Sequence, residues 1–409
     1  MYFEAFLGIR YLKAKRKQAF ISIITLISVI GVMMGVMSLI VVLSVMNGFR
    51  ADLMSKIQGV NAHLLVSKYG GSFNNYEEIL KDIKAVDGVA AVTPSIYDYV
   101  LLNSSGGISS PAALRGVDTS SAGKVMDIEP MVKESTLASL DNTYEGLPAI
   151  IIGSELAKQL GVIPGDVLTV TSPQGKLTPL GRTANSRGYR VTGLFNSGYY
   201  EYDLSMVFVS LKEAQDLLGI ENRVTKIEIR VNEAYQSHHI LESIENLLGY
   251  PYWVQDWKDR NKTLFAALKL EKITMFIILT LIVLVGALNI ISALVMVVME
   301  KTRDVAILRA MGTTKRSIMT IFMFQGLLVG IVGTLAGLIS GLTICHLLSK
   351  YQFIKLPPDI YYISNFPVRV ETLDVILVTV AAALISFLAT IYPSWHASRL
   401  NPVEALRYE

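Results

Sequence analysis

The chain has 409 residues, of which 52% are hydrophobic and 17% are charged, and its formal net charge is +3. The charged share lies well below the roughly 25% of a soluble domain, which indicates a membrane protein with a sizeable soluble part. The net charge is small and no basic stripe interleaves with aromatics, so no nucleic-acid partner is expected. The one cysteine, Cys345, excludes an intrachain disulfide and is expected to be a packing residue.

Four uncharged apolar runs are long enough to cross a bilayer, which requires about 20 residues. Lysine and arginine cluster before the first run, between the second and third, and after the fourth, which predicts that these three segments are cytoplasmic. The predicted segments are a cytoplasmic tail (1–18), a transmembrane helix (19–49), an outer domain (50–264), a second transmembrane helix (265–299), a cytoplasmic loop (300–316), a third transmembrane helix (317–349), an outer loop (350–371), a fourth transmembrane helix (372–395) and a cytoplasmic tail (396–409).

The outer domain mixes the hydrophobic periods of strands and helices. "VNAHLLVSKYG" alternates as a strand does, whereas "NYEEILKDIKAVDGV" places Ile79, Ile83 and Val86 on one face of a helix. Similar strand and helix patterns follow as far as "VTKIEIRVN". The predicted fold class is therefore an α-helical membrane protein with four transmembrane helices and a mixed α+β domain inserted between helices 1 and 2.

A polar segment inside the outer domain, "SPQGKLTPLGRTANSRG" at 172–188, is predicted to be a long loop between strands. Pro173 and Pro179 stiffen it, and it carries three basic side chains and no acid. Two interpretations stay open from the residues alone. The segment is either a mobile surface loop or a projecting arm that docks an acidic, partly apolar partner.

The short segment between the second and third apolar runs, "EKTRDVAILRAMGTT" at 300–314, has helical spacing with a charged and an apolar face. Asp304 in the first turn suits the helix dipole, and Gly312 is a typical helix stop. Such a helix suits docking into a groove of a soluble partner, although an ordinary cytoplasmic loop would also satisfy the charge pattern.

No enzyme motif occurs in the sequence. It has no phosphate-binding loop, no zinc-protease or hydrolase motif, and no Cys/His spacing for a metal, so this chain is expected to be no enzyme and to bind no cofactor. No Asp, Glu, Lys or Arg interrupts the four runs, and glycines recur at packing spacing in the third. If the protein does work, the energy must come from another subunit.

Several motifs resemble a known permease family. "MEKTRDVAILRAMGTTKRSI" and the closing "YPSWHASRLNPVEALRYE" resemble the family typified by FtsX and MacB. More narrowly, "SVMNGF", "GSELAKQLGV", "TPLGR" and "DWKDRNKTLFAALKLEK" resemble LolC and LolE, the permease subunits of the lipoprotein-releasing ABC transporter. The resemblance covers nearly the whole chain, and its "TPLGR" segment is closer to LolC.

The resemblance implies a Gram-negative inner-membrane complex with a MacB-like periplasmic domain. It would contain two permeases, identical or paralogous, and two copies of an ATPase subunit that binds ATP and Mg. The complex would extract triacylated lipoproteins from the outer leaflet and pass them to a periplasmic carrier. Membrane lipid is a further expected partner.

The resemblance also implies three groups of site residues in this chain. The ATPase-coupling residues are Arg303, Asp304, Val305, Ile307, Leu308 and Met311. The carrier-docking hook residues are Pro173, Pro179, Leu180, Gly181, Arg182 and Arg187. The lipoprotein-cavity residues are Val42, Val45, Met46, Phe49, Phe265, Leu268, Leu270 and Phe276.

Two functions of other classes compete with lipoprotein release. One is an FtsX-like regulatory permease that activates a cell-wall hydrolase, and the other is a MacB-like efflux permease. A lipoprotein with three acyl chains exposes about 45 methylenes, and at about 0.8 kcal/mol each their release into water would cost over 30 kcal/mol. Transfer must therefore avoid water, which predicts an uncharged, closable cavity between the spans.

Overall fold

The computed structural model describes residues 19–178, 181–233, 237–351 and 367–399 of the chain. Both predicted tails, apart from residues 396–399, and most of the outer loop 350–371 lie outside these ranges. The chain divides into two compact units. We call the one that holds the long apolar helices the helical unit, and the one from Asp52 to Ala266 the inserted domain.

The first long helix, α1, spans Ala19–Val60 and continues past the predicted membrane boundary at residue 49. Its 42 residues would extend about 63 Å at about 1.5 Å per residue, which is roughly twice the hydrocarbon thickness of a bilayer. The helix therefore has to project beyond the membrane, and its last turns belong to the inserted domain.

The inserted domain alternates short helices with strands, as the mixed hydrophobic periods predicted. Its strands are β1 (Leu64–Lys68), β2 (Val89–Ser104), β3 (Ser109–Val117), β4 (Val132–Lys133), β5 (Thr143–Tyr144), β6 (Leu147–Gly153), β7 (Val167–Thr178), β8 (Gly181–Phe195), β9 (Met206–Ser210), β10 (Lys226–Val231) and β11 (Tyr252–Asp256). Its helices are α2 (Tyr76–Lys84), α3 (Ala122–Val125), α4 (Ser154–Leu160), α5 (Tyr200–Ser205), α6 (Leu211–Leu218), α7 (Ser237–Leu248) and α8 (Trp257–Arg260). Ile79 and Ile83 of α2 are buried, as their spacing predicted.

The strands form one mixed sheet in the order β11-β1-β10-β2-β3-β9-β6-β8-β4, with β7 paired to β2 and β8 and β5 paired to β6. The pairs β3–β9 and β6–β8 are parallel and the others are antiparallel. A mixed sheet with helices connecting its strands confirms the predicted α+β class. The strands that follow α1 and precede the second long helix, β1 and β11, are neighbours in this sheet.

The remaining long helices follow the inserted domain. They are α9 (Lys262–Glu300), α11 (Lys315–Tyr351) and α12 (Thr372–Ser398), with the short α10 (Thr302–Ala310) between α9 and α11. Together with α1 they are four helices, within the described residues, that are long and apolar enough to cross a membrane. The points at which they enter and leave the bilayer stay predictions.

The glycine stripe of α11 packs against two neighbouring helices, as its small-residue spacing predicted. Gly326 and Gly330 lie against α12, where a Cβ at Gly326 would come within 2.2 Å of the Thr390 side chain. Gly333, Gly337 and Gly341 lie against α1. The absence of side chains at these five positions lets the three helix backbones approach closely.

Candidate functional site

The first candidate site is α10, which we call the coupling helix. It ends where the sequence predicted, because Gly312 adopts a left-handed conformation with a φ of +97°. The N–H groups of Thr313 and Gly312 donate to the carbonyls of Leu308 (3.1 Å) and Arg309 (3.0 Å), which is the Schellman arrangement that closes a helix. The short connection to α11 therefore has a defined geometry.

The coupling helix has one buried and one exposed face. Val305 and Ala306 are 1% and 2% exposed, and Val305 packs in an apolar cluster with side chains of α9, α11 and α12. On the opposite face Arg303 is exposed, and Ile307 and Met311 are 45% and 79% exposed. Residues four apart lie above one another on a helix, so these three form one exposed stripe.

The predicted coupling residues thus have different positions. Arg303, Ile307 and Met311 are exposed, whereas Val305 and the half-buried Leu308 contact the cluster that joins the long helices. The Asp304 carboxylate forms an ion pair with the Lys301 ammonium group at 3.2 Å. The arrangement can bind a partner on one face and transmit its displacement to the long helices through the other.

The second candidate site corrects the prediction of a long loop at 172–188. Backbone pairing between β7 and β8 continues to Thr178 opposite Gly181, so the segment is a β-hairpin, which we call the hook hairpin (Val167–Phe195). Composition misled the prediction, because strand pairing requires backbone donors and acceptors and does not require apolar side chains. The register shifts between Ser172 and Lys176, around the position of Pro173, which cannot donate to the ladder.

The predicted hook residues occupy different parts of this hairpin. Gly181 lies at the start of β8, and Arg182 lies opposite Leu177 in the register. Pro173 is exposed, whereas Pro179 and Leu180 lie outside the described residues. The structure therefore places Pro173, Gly181 and Arg182 on one hairpin, and the docking role of the predicted residues stays a prediction.

Arg187 lies nearer the base of the hairpin and contacts α6. Its guanidinium is 2.8 Å from the Glu213 carboxylate and 3.7 Å from that of Asp216. Burial raises the pKa of Glu213, and the charge of Arg187 opposes that rise. Arg187 therefore attaches the hairpin to the domain, and the docking role that the resemblance implies for it stays a prediction.

The third candidate site is a cavity of about 640 Å³ in the helical unit, which we call the α1–α12 cavity. It lies among α1, α9 and α12. Its apolar wall is formed by Leu39, Leu43, Met46, Met275, Leu377, Val378, Ala381 and Ala382. Among the residues predicted to contact lipoprotein, Met46 lines this cavity.

The other predicted lipoprotein residues lie elsewhere. Val42, Val45 and Phe49 are half-buried on α1, Leu268 is buried on α9, and Leu270 is exposed there. Phe265 belongs to the inserted domain, where its ring lies 5.4 Å from that of Trp257. The Phe276 side chain lies outside the described part of the chain. Their assignment to lipoprotein stays a prediction.

The mouth of the α1–α12 cavity is charged, a feature that no local sequence pattern predicted. The charged lining residues are Arg50, Glu271, Lys272, Glu371 and Asp374. All of them lie just beyond the ends of the apolar runs, which themselves contain no Asp, Glu, Lys or Arg. Proximity in space, which sequence order does not show, brings them together.

A polar junction that no sequence pattern predicted lies in the inserted domain, where α1 ends. Asn61 donates to the Tyr202 hydroxyl (2.7 Å) and accepts from Arg260 of α8 (3.2 Å). Arg115 donates to the carbonyl of Val60 at the end of α1 (2.9 Å). These contacts join the end of α1 to the helix that immediately precedes α9. No local motif marks them, because the partners are distant in the sequence.

Comparisons with known proteins agree with this architecture. Residues 25–247 match the family model described as the MacB-like periplasmic core domain. Residues 276–402 match the model described as the FtsX-like permease C-terminal. The two matches divide the chain into the inserted domain with its preceding helix and the remaining helices.

Three curated relatives resemble the chain along its whole length. The lipoprotein-releasing system transmembrane protein LolC of Xylella fastidiosa is 35% identical over 98% of both chains. The LolC protein of Neisseria meningitidis is 34% identical over 99% of both. The LolE protein of Haemophilus influenzae is 27% identical over 98% of both. At this identity and coverage, the chain belongs to the LolC/LolE family of lipoprotein-releasing permease subunits.

Proposed function

We propose that this chain is one of two permeases in a complex with two copies of a separate ATPase subunit that binds ATP and Mg. The complex moves triacylated lipoproteins from the outer leaflet of the inner membrane to a periplasmic carrier. Both termini and the coupling helix lie in the cytoplasm, in agreement with the lysine and arginine distribution. The second permease is either a copy of this chain or a paralogue.

The observation that carries this proposal is the two-faced coupling helix. Its exposed stripe of Arg303, Ile307 and Met311 suits a groove on the ATPase, and its buried face contacts the cluster that joins α9, α11 and α12. ATP binding on the partner subunits brings the two coupling helices of the complex together. The long helices then move and expel the acyl chains from an apolar chamber between the permeases.

The hook hairpin binds the periplasmic carrier that accepts the lipoprotein. Because exposure of three acyl chains to water costs over about 30 kcal/mol, the carrier has to be close when the chains leave the membrane. The predicted docking residues Pro179 to Arg182 hold it there. Arg187 keeps the hairpin attached to α6 through Glu213 and Asp216.

Cysteine cross-linking tests the docking of the coupling helix. In a Cys345→Ser background, Ile307→Cys and Met311→Cys are expected to cross-link to the ATPase subunit in membranes. Ala306→Cys is the matched control, because Ala306 lies on the same helix but is 2% exposed. Equal cross-linking at all three positions, or none at Ile307 and Met311, contradicts the proposal.

Carrier capture tests the hairpin separately. Leu180→Asp is expected to reduce capture of the periplasmic carrier by the purified complex about tenfold, the effect of losing an interface contact worth roughly 1.4 kcal/mol. The exposed Thr169→Asp on the same strand pair is the control. Unchanged capture by Leu180→Asp means that the carrier docks elsewhere.

A further inference from the structure

The α1–α12 cavity has the depth of one membrane leaflet. Its lining on α1 runs from Leu39 to Arg50, which is about 16 Å at the helical rise. Its lining on α12 runs from Asp374 to Ala382, about 12 Å. Half of a hydrocarbon core of about 30 Å is about 15 Å. The volume of about 640 Å³ lies in the range of ligand pockets.

The charged mouth of the cavity faces the periplasmic side, since Arg50 and Lys272 lie next to the inserted domain in the chain. The mouth therefore lies where the headgroups of the outer leaflet begin, and the apolar wall lies at the depth of their acyl chains. A cavity with this division of polarity suits an amphiphile that enters from the leaflet. A fully polar, soluble ligand would make no favourable contact with the apolar wall.

The mouth also contains a polar atom that needs a partner. The Nε atom of Arg50 is buried and has no hydrogen-bond partner among the residues that the structure describes. A buried donor in a charged group is costly when it is left unpaired, and an arginine donates to a phosphate oxygen with favourable geometry. Asp374, across the mouth, accepts a hydrogen bond from Asn47 at 2.5 Å, which holds its carboxylate in place.

The geometry points to a phospholipid site in the α1–α12 cavity. A phospholipid of the outer leaflet places one acyl chain along the apolar wall and its phosphate at Arg50 and Lys272. Its headgroup ammonium lies near the carboxylates of Glu271, Glu371 and Asp374. The proposal needs only the membrane position of the helices, so it does not rest on the proposed release of lipoproteins.

The charges of the mouth favour a phospholipid over the lipoprotein itself. The acylated end of a triacylated lipoprotein carries thioether, ester and amide groups and has no phosphate. Two cations beside three carboxylates match a headgroup that contains both a phosphate and an ammonium. The cavity is also walled by α12 of the same chain, whereas the proposed lipoprotein path lies between two permeases.

A photoreactive phosphatidylethanolamine with a diazirine on its acyl chain tests this site. The intact complex is reconstituted in nanodiscs that contain this lipid, irradiated and digested. Adducts are expected on the α1 peptide that contains Leu39 and Leu43. Arg50→Gln should lower their yield about tenfold, as for the loss of a charge-assisted hydrogen bond.

Two matched pairs separate the site from general lipid contact. Lys272→Gln should lower the yield, whereas Lys269→Gln, one turn away on α9 and outside the cavity, should not. Ala382→Met, which fills the cavity and keeps its charges, should also lower it, whereas Val380→Met on the exposed side of α12 should not.

Each remaining outcome overturns the proposal. Equal yields from all variants mean that the lipid contacts the helices only as bulk bilayer. Displacement of the lipid adduct by a triacylated lipopeptide assigns the cavity to the transported substrate. Failure of either kind leaves cross-linking of the coupling helix unaffected, so the phospholipid site and the proposed function can fail independently.

Discussion

Arg115 and Glu228 form an ion pair in the interior of the inserted domain, where they are 1% and 0% exposed. The Arg115 Nε atom donates to Glu228 at 3.1 Å, and the same guanidinium lies 5.5 Å from the centre of the Tyr97 ring. Coulombic attraction to Glu228 opposes the desolvation of Arg115, and its pKa is raised. The pair links strands β3 and β10 and holds the carbonyl of Val60 at the end of α1.

The inserted domain should lose far more stability when one member of the pair is replaced than when both are replaced together. Glu228→Gln leaves a buried guanidinium without its counter-charge and is expected to destabilise the domain by about 3–5 kcal/mol. Arg115→Met combined with Glu228→Met removes both charges and should recover most of that loss. Thermal unfolding of the full chain, followed by the fluorescence of Trp253 and Trp257, measures the difference. A double variant less stable than the single one contradicts this account.

His63 should make the inserted domain sensitive to acid. Burial lowers the pKa of His63 below its ordinary value of 6.5; Arg230 also lowers it, and Asp127 and Asp256 raise it. The unfolded chain therefore binds more protons as the pH falls through about 6.5, so stability is full above that pH and is lost below it.

The His63→Gln variant isolates this contribution. Between about pH 7.5 and pH 5.5, the unfolding temperature of the wild type should fall more steeply than that of His63→Gln, whose amide does not titrate in this range. The full chain in detergent serves for both measurements. Parallel pH profiles would show that His63 keeps an ordinary pKa in the folded state.

At the scale of elements, the α11 glycines determine how closely three helices pack. A Cβ at Gly326 would meet the Thr390 side chain at 2.2 Å and that of Leu294 at 2.8 Å, whereas a Cβ at Gly286 of α9 meets nothing within 4 Å. The two glycines therefore form a matched pair. Each lies in a long apolar helix, and they differ in the space beside them.

Gly326→Ala should lower the unfolding temperature of the chain, because overpacking costs roughly 1–3 kcal/mol. Gly286→Ala should be neutral or slightly stabilising, since alanine is the better helix former. Scanning fluorimetry of both variants in the same detergent compares them directly. Equal effects would mean that the close approach of α11 and α12 is not maintained in solution.

Elements whose apolar residues recur at a regular period could be predicted from the sequence. Features that depend on partners distant in the sequence could not. The coupling helix was predictable because its apolar spacing and Gly312 are local features. The hook hairpin was predicted as a loop, because its strands are held by backbone pairing and carry polar side chains. The charged cavity mouth combines residues from α1, α9 and α12, and no local pattern connects them.

At the scale of the whole molecule, the two chain segments that connect the inserted domain to the membrane helices are neighbours in its sheet. β1, which follows α1, pairs with β11, which leads to α8 and α9. Asn61 and Arg260 join the same two connections through a side-chain hydrogen bond of 3.2 Å. We expect a displacement of α1 relative to α9 to act directly on this junction.

ATP-driven release of a lipoprotein to its carrier from proteoliposomes tests the central claim most directly. The double variant Arg303→Ala/Ile307→Asp changes two of the three side chains in the exposed stripe of the coupling helix and leaves its buried face intact. Release should fall at least about thirtyfold, the effect of losing an interface contact worth roughly 2 kcal/mol. The exposed Lys315→Gln should release at the wild-type rate. Wild-type release by the double variant would contradict transmission through the coupling helix.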